Sequence, residues 1–344
     1  MSDPLTSSSP APDAAAETGE AKRRILIIKH GAFGDVIQSD GALRDIRQNH
    51  KNDDIAILTT PPYRRIYERC PWINRVLIDP RAPRWRLDQM LKLKKMLQAE
   101  HFDMVYDLQD SPRTATYYRW FFKGVDWSGT AKGASHPMRL RNPKKYRSLD
   151  RHANQLKDAG LSIRYTRRPN VSWMADDMGA FLKSEGVEDP FILLIPGCSI
   201  RHPQKRWPYY AELAQRLIGE GYQIVTAPGP DEMDLAATIP GLTLKGPRGF
   251  LNWFELAGVM QRAAFIIGND TGPSHLASHL GVQGLALFGS HTTAERTGIE
   301  RENFTVIEVV SLANLPVGRV LDEVHLRLGN VHPSSANSVQ LNSV

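Results

Sequence analysis

Short apolar runs alternate with amphipathic stretches through the first half of the chain. Strands are predicted at 24–29, 55–58, 75–78 and 104–107. The first run is followed by a helical pattern that places Val36, Ile37 and Leu43 on one face, and a second helical pattern covers 87–97. Strands that alternate with helices in this way indicate a parallel sheet covered by helices.

The same alternation returns in the second half. Strands are predicted at 191–195, 223–226, 242–244, 264–267 and 285–288, and helices at 209–219, 231–238, 252–261, 274–280 and 316–328. A polar segment at 166–175 separates the halves. The pattern predicts an α/β fold with two Rossmann-like parallel-sheet domains, 23–165 and 176–329, facing each other across a cleft. Residues 1–22 and 330–344 are predicted to be disordered tails.

Positive charge is concentrated in the first half. Residues 22–168 hold 31 Lys and Arg against 15 Asp and Glu, a net charge of +16, whereas residues 169–344 carry −6. The first domain should therefore attract an anionic partner. Within it, the pattern of 124–151 lapses into a basic loop that contains Arg139 and Arg141. This loop is either a disordered connector or a flexible arm over an anionic acceptor.

Cysteine content and the chain's apolar runs limit its location. Cys70 and Cys198 provide neither a disulfide framework nor a zinc cluster, which fits a reducing compartment. The first 21 residues lack the basic and apolar regions of a signal peptide, and no apolar run is long enough to span a membrane. We expect a cytoplasmic protein.

A strand, a tight turn and a helix are predicted around Asp270. Asp270 and Thr271 are typical N-cap residues, and Pro273 suits a first helical turn. Such a turn leaves backbone N–H groups unpaired at the positive end of the helix dipole. It is either an ordinary capped helix or a site for an anion such as a pyrophosphate, which Gly272 would allow close to the backbone.

A GxxGD turn follows the first predicted strand. Gly31 and Gly34 do not form the GxGxxG fingerprint of a dinucleotide site. Asp35 begins the next helix. It is either an N-cap and dipole partner, or a general base at the cleft that takes a proton from an acceptor hydroxyl.

Two later segments also follow strands and enter helices. In the basic loop 196–208, Lys205 or Arg206 would neutralise a leaving phosphate, unless both are simply solvated. Glu232 either pairs with a helix dipole or accepts hydrogen bonds from ribose hydroxyls.

The sequence argues against several other kinds of site. His275 and His279 have a spacing that can chelate zinc, but no third ligand is apparent. We predict no metal site and interpret His275 as a donor to a phosphate or sugar. A nucleophile elbow and a Walker A loop are absent from the sequence. The aromatic platforms expected of a nucleic-acid partner are also absent.

Four segments in order resemble glycosyltransferase family 9, the lipopolysaccharide heptosyltransferases. They are ILIIKHGAFGDV at 25–36, KRWP at 205–208, GPDE at 229–232, and NDTGPSH at 269–275 with LFG at 287–289. The resemblance implies a GT-B architecture and an inverting, metal-independent transfer without a cofactor. The donor would be an ADP-sugar, usually ADP-heptose, in the C-terminal domain. The acceptor would be a lipopolysaccharide core or similar anionic glycolipid in the N-terminal domain.

The resemblance also suggests roles for individual residues. It implies Asp35 as the catalytic base and Lys205 as the catalytic partner of the leaving phosphate. The predicted donor-binding residues are Ser199, Arg206, Glu232, Asp270, Thr271, Gly272 and His275. The predicted acceptor-binding residues are Lys29, Gly31, Gly34, Arg139 and Arg141.

Such an enzyme would work at the cytoplasmic face of the inner membrane, held there peripherally by its basic half. Two other function classes fit the same pattern. One is a nucleotide-dependent oxidoreductase or nucleotide-sugar epimerase on paired Rossmann-like domains, and the other is a non-catalytic descendant that binds polyanions. The joint presence of Asp35, Lys205 and Asp270 favours the transferase.

Overall fold

The computed structural model describes residues 22–329. Apart from Lys22, the two predicted tails lie outside these residues. The strands are β1 (Arg24–Ile28), β2 (Asp54–Thr59), β3 (Arg75–Ile78), β4 (Met104–Asp107), β5 (Asp126–Gly129), β6 (His136–Pro137), β7 (Phe191–Ile195), β8 (Gln223–Thr226), β9 (Leu242–Thr243), β10 (Phe265–Asn269), β11 (Gly284–Phe288) and β12 (Phe304–Glu308).

Helices connect nearly all of these strands. They are α1 (Phe33–Gln38), α2 (Asp40–Asn49), α3 (Arg64–Arg69), α4 (Leu87–Gln98), α5 (Pro112–Phe121), α6 (Ser148–Asp158), α7 (Gly179–Ser184), α8 (Tyr210–Gly219), α9 (Met233–Ala236), α10 (Trp253–Arg262), α11 (Gly272–Leu280), α12 (Ala294–Thr297) and α13 (Val317–Leu328).

The strands form two six-stranded parallel sheets with the same internal order. The first sheet runs β3-β2-β1-β4-β5-β6 and the second β12-β11-β10-β7-β8-β9. In each sheet, the first three strands in the sequence lie side by side from the centre to one edge. The next three lie side by side from the centre to the other edge. The reversal falls between β1 and β4 and between β7 and β10. Crevices at the carboxyl ends of strands at such points are where α/β sheets bind ligands.

Alternate residues of the central strands pack on opposite faces of each sheet. Leu26 and Ile28 pack against α4 and α5, whereas Ile25 and Ile27 pack on the face that carries α1, α2 and α6. This second face belongs to an apolar cluster that continues to Leu193 on β7. The two sheets are therefore joined by one continuous core.

The prediction of a loop throughout 124–151 is wrong. The segment contains β5 and β6, and α6 begins at Ser148. Trp127 of β5 is fully buried, and the Gln155 side chain donates a hydrogen bond to the backbone oxygen of Ser128. Strands of four and two residues are too short to show periodicity, so tertiary contacts decide their structure.

The segment predicted as a linker is held against α2. The Asp45 carboxylate accepts hydrogen bonds from the backbone N–H groups of Tyr165 and Thr166 at 2.8–3.1 Å. A single 3-10 turn, Ser172–Met174, lies within 166–175. The domain bounds remain a prediction. Among residues 22–329, no helix has the length and apolar character needed to cross a membrane.

Candidate active site

A cavity of about 770 Å³ opens between the two domains. Most of its lining comes from segments that follow β7, β8 and β10, and from the start of α10. Ala32 and Phe33 line it from the N-terminal domain. The volume is typical of a site for a ligand of nucleotide size.

Asp270 is the centre of an ionic cluster at this cavity. Its carboxylate is buried, and Lys205 Nζ donates to Asp270 Oδ2 at 2.7 Å and to the backbone oxygen of Asp270 at 3.2 Å. His291 Nε2 lies 2.8 Å from Oδ2, and His275 Nε2 lies 3.7 Å from Oδ1. The cluster thus surrounds one carboxylate with three nitrogen groups.

These partners control the ionisation of Asp270. Burial by itself raises the pKa of a carboxyl group, but His275, Lys205 and His291 outweigh it and hold the Asp270 pKa well below its usual range. The carboxylate is therefore charged at any physiological pH, and Lys205 is held as its counter-ion beside the cavity.

The first turn of α11 presents backbone donors beside this cluster. Thr271 occupies the N-cap position with extended backbone geometry, but its side chain makes no capping hydrogen bond. Thr271, Gly272 and Pro273 all line the cavity. Backbone N–H groups without a side-chain cap and the positive end of the helix dipole favour an anion at such a position, and the pyrophosphate site itself remains a prediction. A Cβ atom on Gly272 would lie 2.8 Å from the Phe33 ring, so only glycine fits the interdomain contact.

Asn269 holds the basic loop in place. Its buried side chain donates to the backbone oxygen of Pro196 at 2.8 Å and accepts from the backbone N–H of Trp207 at 3.1 Å. These bonds join both ends of the loop that carries Lys205 to the last residue of β10. Asp270 is the next residue in the chain. The hydrogen bonds of Asn269 therefore hold the segments that carry Asp270 and Lys205 together, and this brings the two charged side chains into contact.

Glu232 packs against the backbone of two glycines, Gly197 and Gly229, at the cavity wall. Its Oε2 accepts from the backbone N–H of Gly229 at 2.9 Å. A Cβ atom on Gly197 would come within 1.8 Å of Glu232 Oε1. The absence of a side chain at Gly197 is therefore what allows this carboxylate to lie at the cavity wall.

Asp35 lies in the first turn of α1, two residues after Phe33. It is half-buried, and its carboxylate has no hydrogen-bond or ion-pair partner among residues 22–329. Lys29 is buried nearby and donates to the backbone oxygen of Leu108 at 3.1 Å. Burial lowers the pKa of Lys29, and the charge of Asp35 acts in the opposite direction.

The structure brings most of the predicted donor residues together. Ser199, Glu232, Asp270, Thr271 and Gly272 all line the cavity, as does Lys205, the predicted catalytic partner of the leaving phosphate. Arg206 is exposed and lies outside the lining. The roles themselves remain predictions.

His275 lies between the Asp270 carboxylate and the N-terminal domain, and it is not part of the cavity lining. Its ring lies 3.2 Å from the position of a Cβ atom on Gly34, and its Nδ1 lies 3.4 Å from Gln38 Nε2. In His279, Nδ1 lies 2.8 Å from the backbone oxygen of His275, and Nε2 accepts from Arg301 at 3.0 Å. Both ring nitrogens of His279 are thus engaged. Residues 22–329 contain no cluster of three or more side chains suited to a metal ion.

The predicted acceptor residues are spread along the N-terminal domain. Gly31 has φ of +127° and packs on Tyr63, which explains the need for glycine. Arg139 and Arg141 are exposed and follow β6, the edge strand beyond β4 and β5. The Lys29 side chain is buried in the interior of the domain. Its contact with an acceptor also remains a prediction.

The sequence did not indicate three residues of the site. His291 completes the Asp270 cluster, and Trp253 stacks on Phe33 across the domains with ring centroids 3.7 Å apart at 17°. The sequence could have indicated His291, because this residue follows β11. Strand β11 lies next to β10 in the parallel sheet, so their carboxyl ends meet at the same edge. Phe33 and Trp253 are far apart in the sequence and belong to different domains, so no local sequence pattern indicates their contact.

The sequence matches a known protein family. The sequence model of "Glycosyltransferase family 9 (heptosyltransferase)" matches residues 90–317, more than half of the chain. Lipopolysaccharide heptosyltransferase 2 of Escherichia coli (strain K12) is 25% identical over 292 residues, which cover 77% of this chain and 82% of that protein.

Solved structures share the fold. A glycosyl transferase family 9 protein from Veillonella parvula superposes with a TM-score of 0.73 at 20% identity, covering 89% of this chain and 97% of that one. An E. coli heptosyltransferase with ADP-2-deoxy-2-fluoro heptose gives 0.67 at 19% identity, covering 88% and 99%. The GT-B prediction is confirmed by these matches. On its sequence and its fold, the chain belongs to glycosyltransferase family 9, the heptosyltransferases.

Proposed function

We propose that this protein transfers a heptose from ADP-heptose to a hydroxyl group of a lipopolysaccharide-core acceptor, with inversion and without a metal ion. The observation that carries the proposal is the cluster of Asp270 and Lys205 beside the open first turn of α11, in a cavity that Phe33 of the opposite domain completes. Among the relatives, lipopolysaccharide heptosyltransferase 2 and the enzyme with the fluoro-heptose analogue support the choice of acceptor and donor.

The leaving group is a nucleoside diphosphate, on which negative charge grows as the bond to the sugar breaks. In the proposed mechanism that charge develops beside the start of α11 and the Lys205 ammonium, which lie together at the cavity. Donors fixed in this way stabilise a transition state without reorganising during the reaction. In the proposed mechanism they supply the stabilisation that a metal ion gives in other transferases.

The ribose of the donor is placed at Glu232. One carboxylate oxygen of Glu232 accepts from Gly229, and the carboxylate faces the same cavity as the α11 turn. A carboxylate can accept from both hydroxyls of a ribose. The nucleoside would then lie between Glu232 and Trp253, with the diphosphate at Thr271 and Gly272.

Asp35 is the proposed general base. An inverting transfer needs a group that takes the proton from the acceptor hydroxyl as it attacks the sugar. The Asp35 carboxylate is free of partners within residues 22–329, and it follows the segment that lines the cavity from the N-terminal domain. An anionic acceptor would be attracted by the +16 charge of that half of the chain.

The substitution Asp35→Asn tests this assignment. We expect turnover of ADP-heptose with a lipopolysaccharide-core acceptor to fall by about 10²–10⁴-fold, because the amide cannot take the proton. Binding of ADP-heptose, measured by calorimetry, should be unchanged. The matched control is Glu68→Gln, which alters an exposed carboxylate of the same domain and should retain full activity. Full turnover by Asp35→Asn would overturn the base assignment, and a product formed without acceptor would instead support an epimerase.

A further inference from the structure

Four large apolar side chains are exposed together on the outer side of the N-terminal domain. Their exposed fractions are 75% for Trp85, 60% for Leu87, 56% for Leu91 and 52% for Trp120. We call these residues the α4–α5 surface. Leu87 and Leu91 are one helical turn apart on α4, and they line a shallow hollow of about 280 Å³ together with Trp120 of α5.

This surface is not needed by the core of the domain. The adjoining face of α4 packs on the sheet through Met90, Leu93 and Leu97, which are buried. The exposed residues therefore form a second apolar stripe on an already packed helix. A contiguous exposed patch of this kind in a folded protein usually marks an interaction site.

Positive charge surrounds the α4–α5 surface. Residues 81–98 hold six Lys and Arg against one acidic residue, Asp88, and residues 112–123 hold three against none. Arg86 pairs with Asp88 and Arg113 with Asp79. The other side chains near the apolar stripe have no carboxylate partner within the described part of the chain. Seven basic side chains remain in these two segments, and they are Arg81, Arg84, Lys92, Lys94, Lys95, Arg119 and Lys123.

We propose that the α4–α5 surface docks on an anionic lipid bilayer. Indole rings favour the boundary between headgroups and acyl chains, and each Lys or Arg beside such a surface gains from anionic lipid. A bilayer is the partner that combines both properties over a flat area. The proposal rests on the proposed function, because it names the place where a glycolipid acceptor would be met.

The position of the surface fits that role. Trp85 lies in the segment between β3 and α4, at the carboxyl edge of the first sheet, and Asp35 follows β1 at the same edge. A bilayer held against α4 and α5 would cover the face of the sheet opposite to α1, and Trp85 would bring its margin to the carboxyl edge at which Asp35 also lies. The C-terminal domain, with the donor cavity, would remain in water.

The test is sedimentation of the full chain with vesicles of phosphatidylcholine, with and without phosphatidylglycerol. We expect binding to the anionic vesicles only. The double variant Trp85→Ser with Trp120→Ser should bind roughly tenfold more weakly or worse. The control Leu326→Ser removes a side chain that is 72% exposed on α13 and should bind like the wild type.

A second variant tests the charge. Lys94→Gln with Lys95→Gln should weaken vesicle binding by about fivefold for each lost charge, and added salt should reduce the difference. The proposal is overturned if the double tryptophan variant sediments with anionic vesicles as the wild type does. It is also overturned if the tryptophan variant abolishes a dimer in analytical ultracentrifugation, because the surface would then bind a second copy.

A water-soluble acceptor separates this proposal from the proposed function. With a delipidated core oligosaccharide, the tryptophan variant should transfer heptose at the wild-type rate, because no membrane is involved. If the wild type transfers no heptose to any acceptor, the proposed function fails, while the vesicle measurements still decide the docking surface.

Discussion

At the scale of single residues, Asp270 determines what Lys205 can do. A lysine in a mobile basic loop would normally be a hydrated surface cation. Here the ammonium is held by the carboxylate and by the backbone oxygen of Asp270 itself. The ion pair is thus part of the structure that surrounds the cavity, and it exists before a donor arrives.

Removing Lys205 should destabilise the protein. In Lys205→Gln the buried carboxylate of Asp270 keeps His291 but loses its cation, so we expect the free energy of unfolding to fall by about 2–3 kcal/mol. The pKa of Asp270 should rise in this variant. Urea unfolding measures the first effect. The double variant Lys205→Gln with Asp270→Asn should recover part of the loss, and strict additivity of the two substitutions would contradict the pairing.

The sequence predicted much of this site because the residues follow strands. Lys205, Glu232 and Asp270 all lie just beyond predicted strands, and the carboxyl ends of parallel strands meet at one edge of a sheet. The sequence shows the position of His275 in the helix but not the direction of its side chain, and its role as a donor to the ligand stays a prediction. In the folded chain, α1 packs against that side of α11, and His275 contacts Gln38 there.

At the scale of elements, the site depends on places where one segment lies directly against another. The β7 carboxyl end approaches Glu232 at Gly197, and α11 approaches the opposite domain at Gly272. Each contact requires the absence of a side chain. The sequence shows these glycines, but it does not show that a carboxylate or an aromatic ring occupies the adjoining space.

The substitution Gly197→Ala should displace Glu232. The added methyl group would occupy the position of the Glu232 carboxylate, so we expect affinity for ADP to fall by about tenfold, while overpacking costs about 1–3 kcal/mol of stability. Calorimetry with ADP measures the affinity. Gly219→Ala is the matched control, because a Cβ atom there meets no heavy atom within 4 Å. Wild-type affinity in Gly197→Ala would exclude Glu232 as a ribose contact.

Strands with an apolar run were predicted well, even short ones such as β3 and β8, whereas several elements without a clear apolar pattern were missed. Central strands such as β1, β7 and β10 are buried on both faces and read as continuous apolar runs. Residues 112–121 form α5 behind a Ser111 capping box that uses Thr114 instead of an acidic partner, and the sequence pattern predicts no element there. The edge strand β12 is also absent from the predicted set, because two of its five residues are only partly buried or exposed.

At the scale of the whole molecule, buried imidazoles link folding to pH. Burial lowers the pKa of His30 to about 4 and lowers the pKa values of His152 and His279 as well. The unfolded chain binds protons at these groups below about pH 6.5, whereas the folded chain does not. The contribution of these neutral imidazoles to the free energy of unfolding is therefore complete above that pH. It is lost as the pH falls toward their pKa values in the folded chain. Asp107 opposes this trend, because burial raises its pKa to about 7.

The variant His30→Gln isolates one of these groups. Between pH 7 and pH 5, the free energy of unfolding should fall by about 2 kcal/mol more in the wild type than in His30→Gln. Only in the wild type does unfolding allow the residue 30 side chain to take up a proton. Urea unfolding at the two pH values measures the difference. His101→Asn, at an exposed position with positive φ that asparagine tolerates, should behave like the wild type. Equal acid sensitivity in wild type and His30→Gln would contradict the assigned shift.

The stack of Phe33 on Trp253 gives the molecule an optical property. The indole of Trp253 lies at the cavity wall and touches a ring of the other domain, so its surroundings change when the cavity fills or when the domains separate. Indole emission shifts in colour and intensity with contact to water. Trp253 is one of the seven tryptophans of the chain, and the share of the emission that it contributes reports on the boundary of the two domains without any added dye.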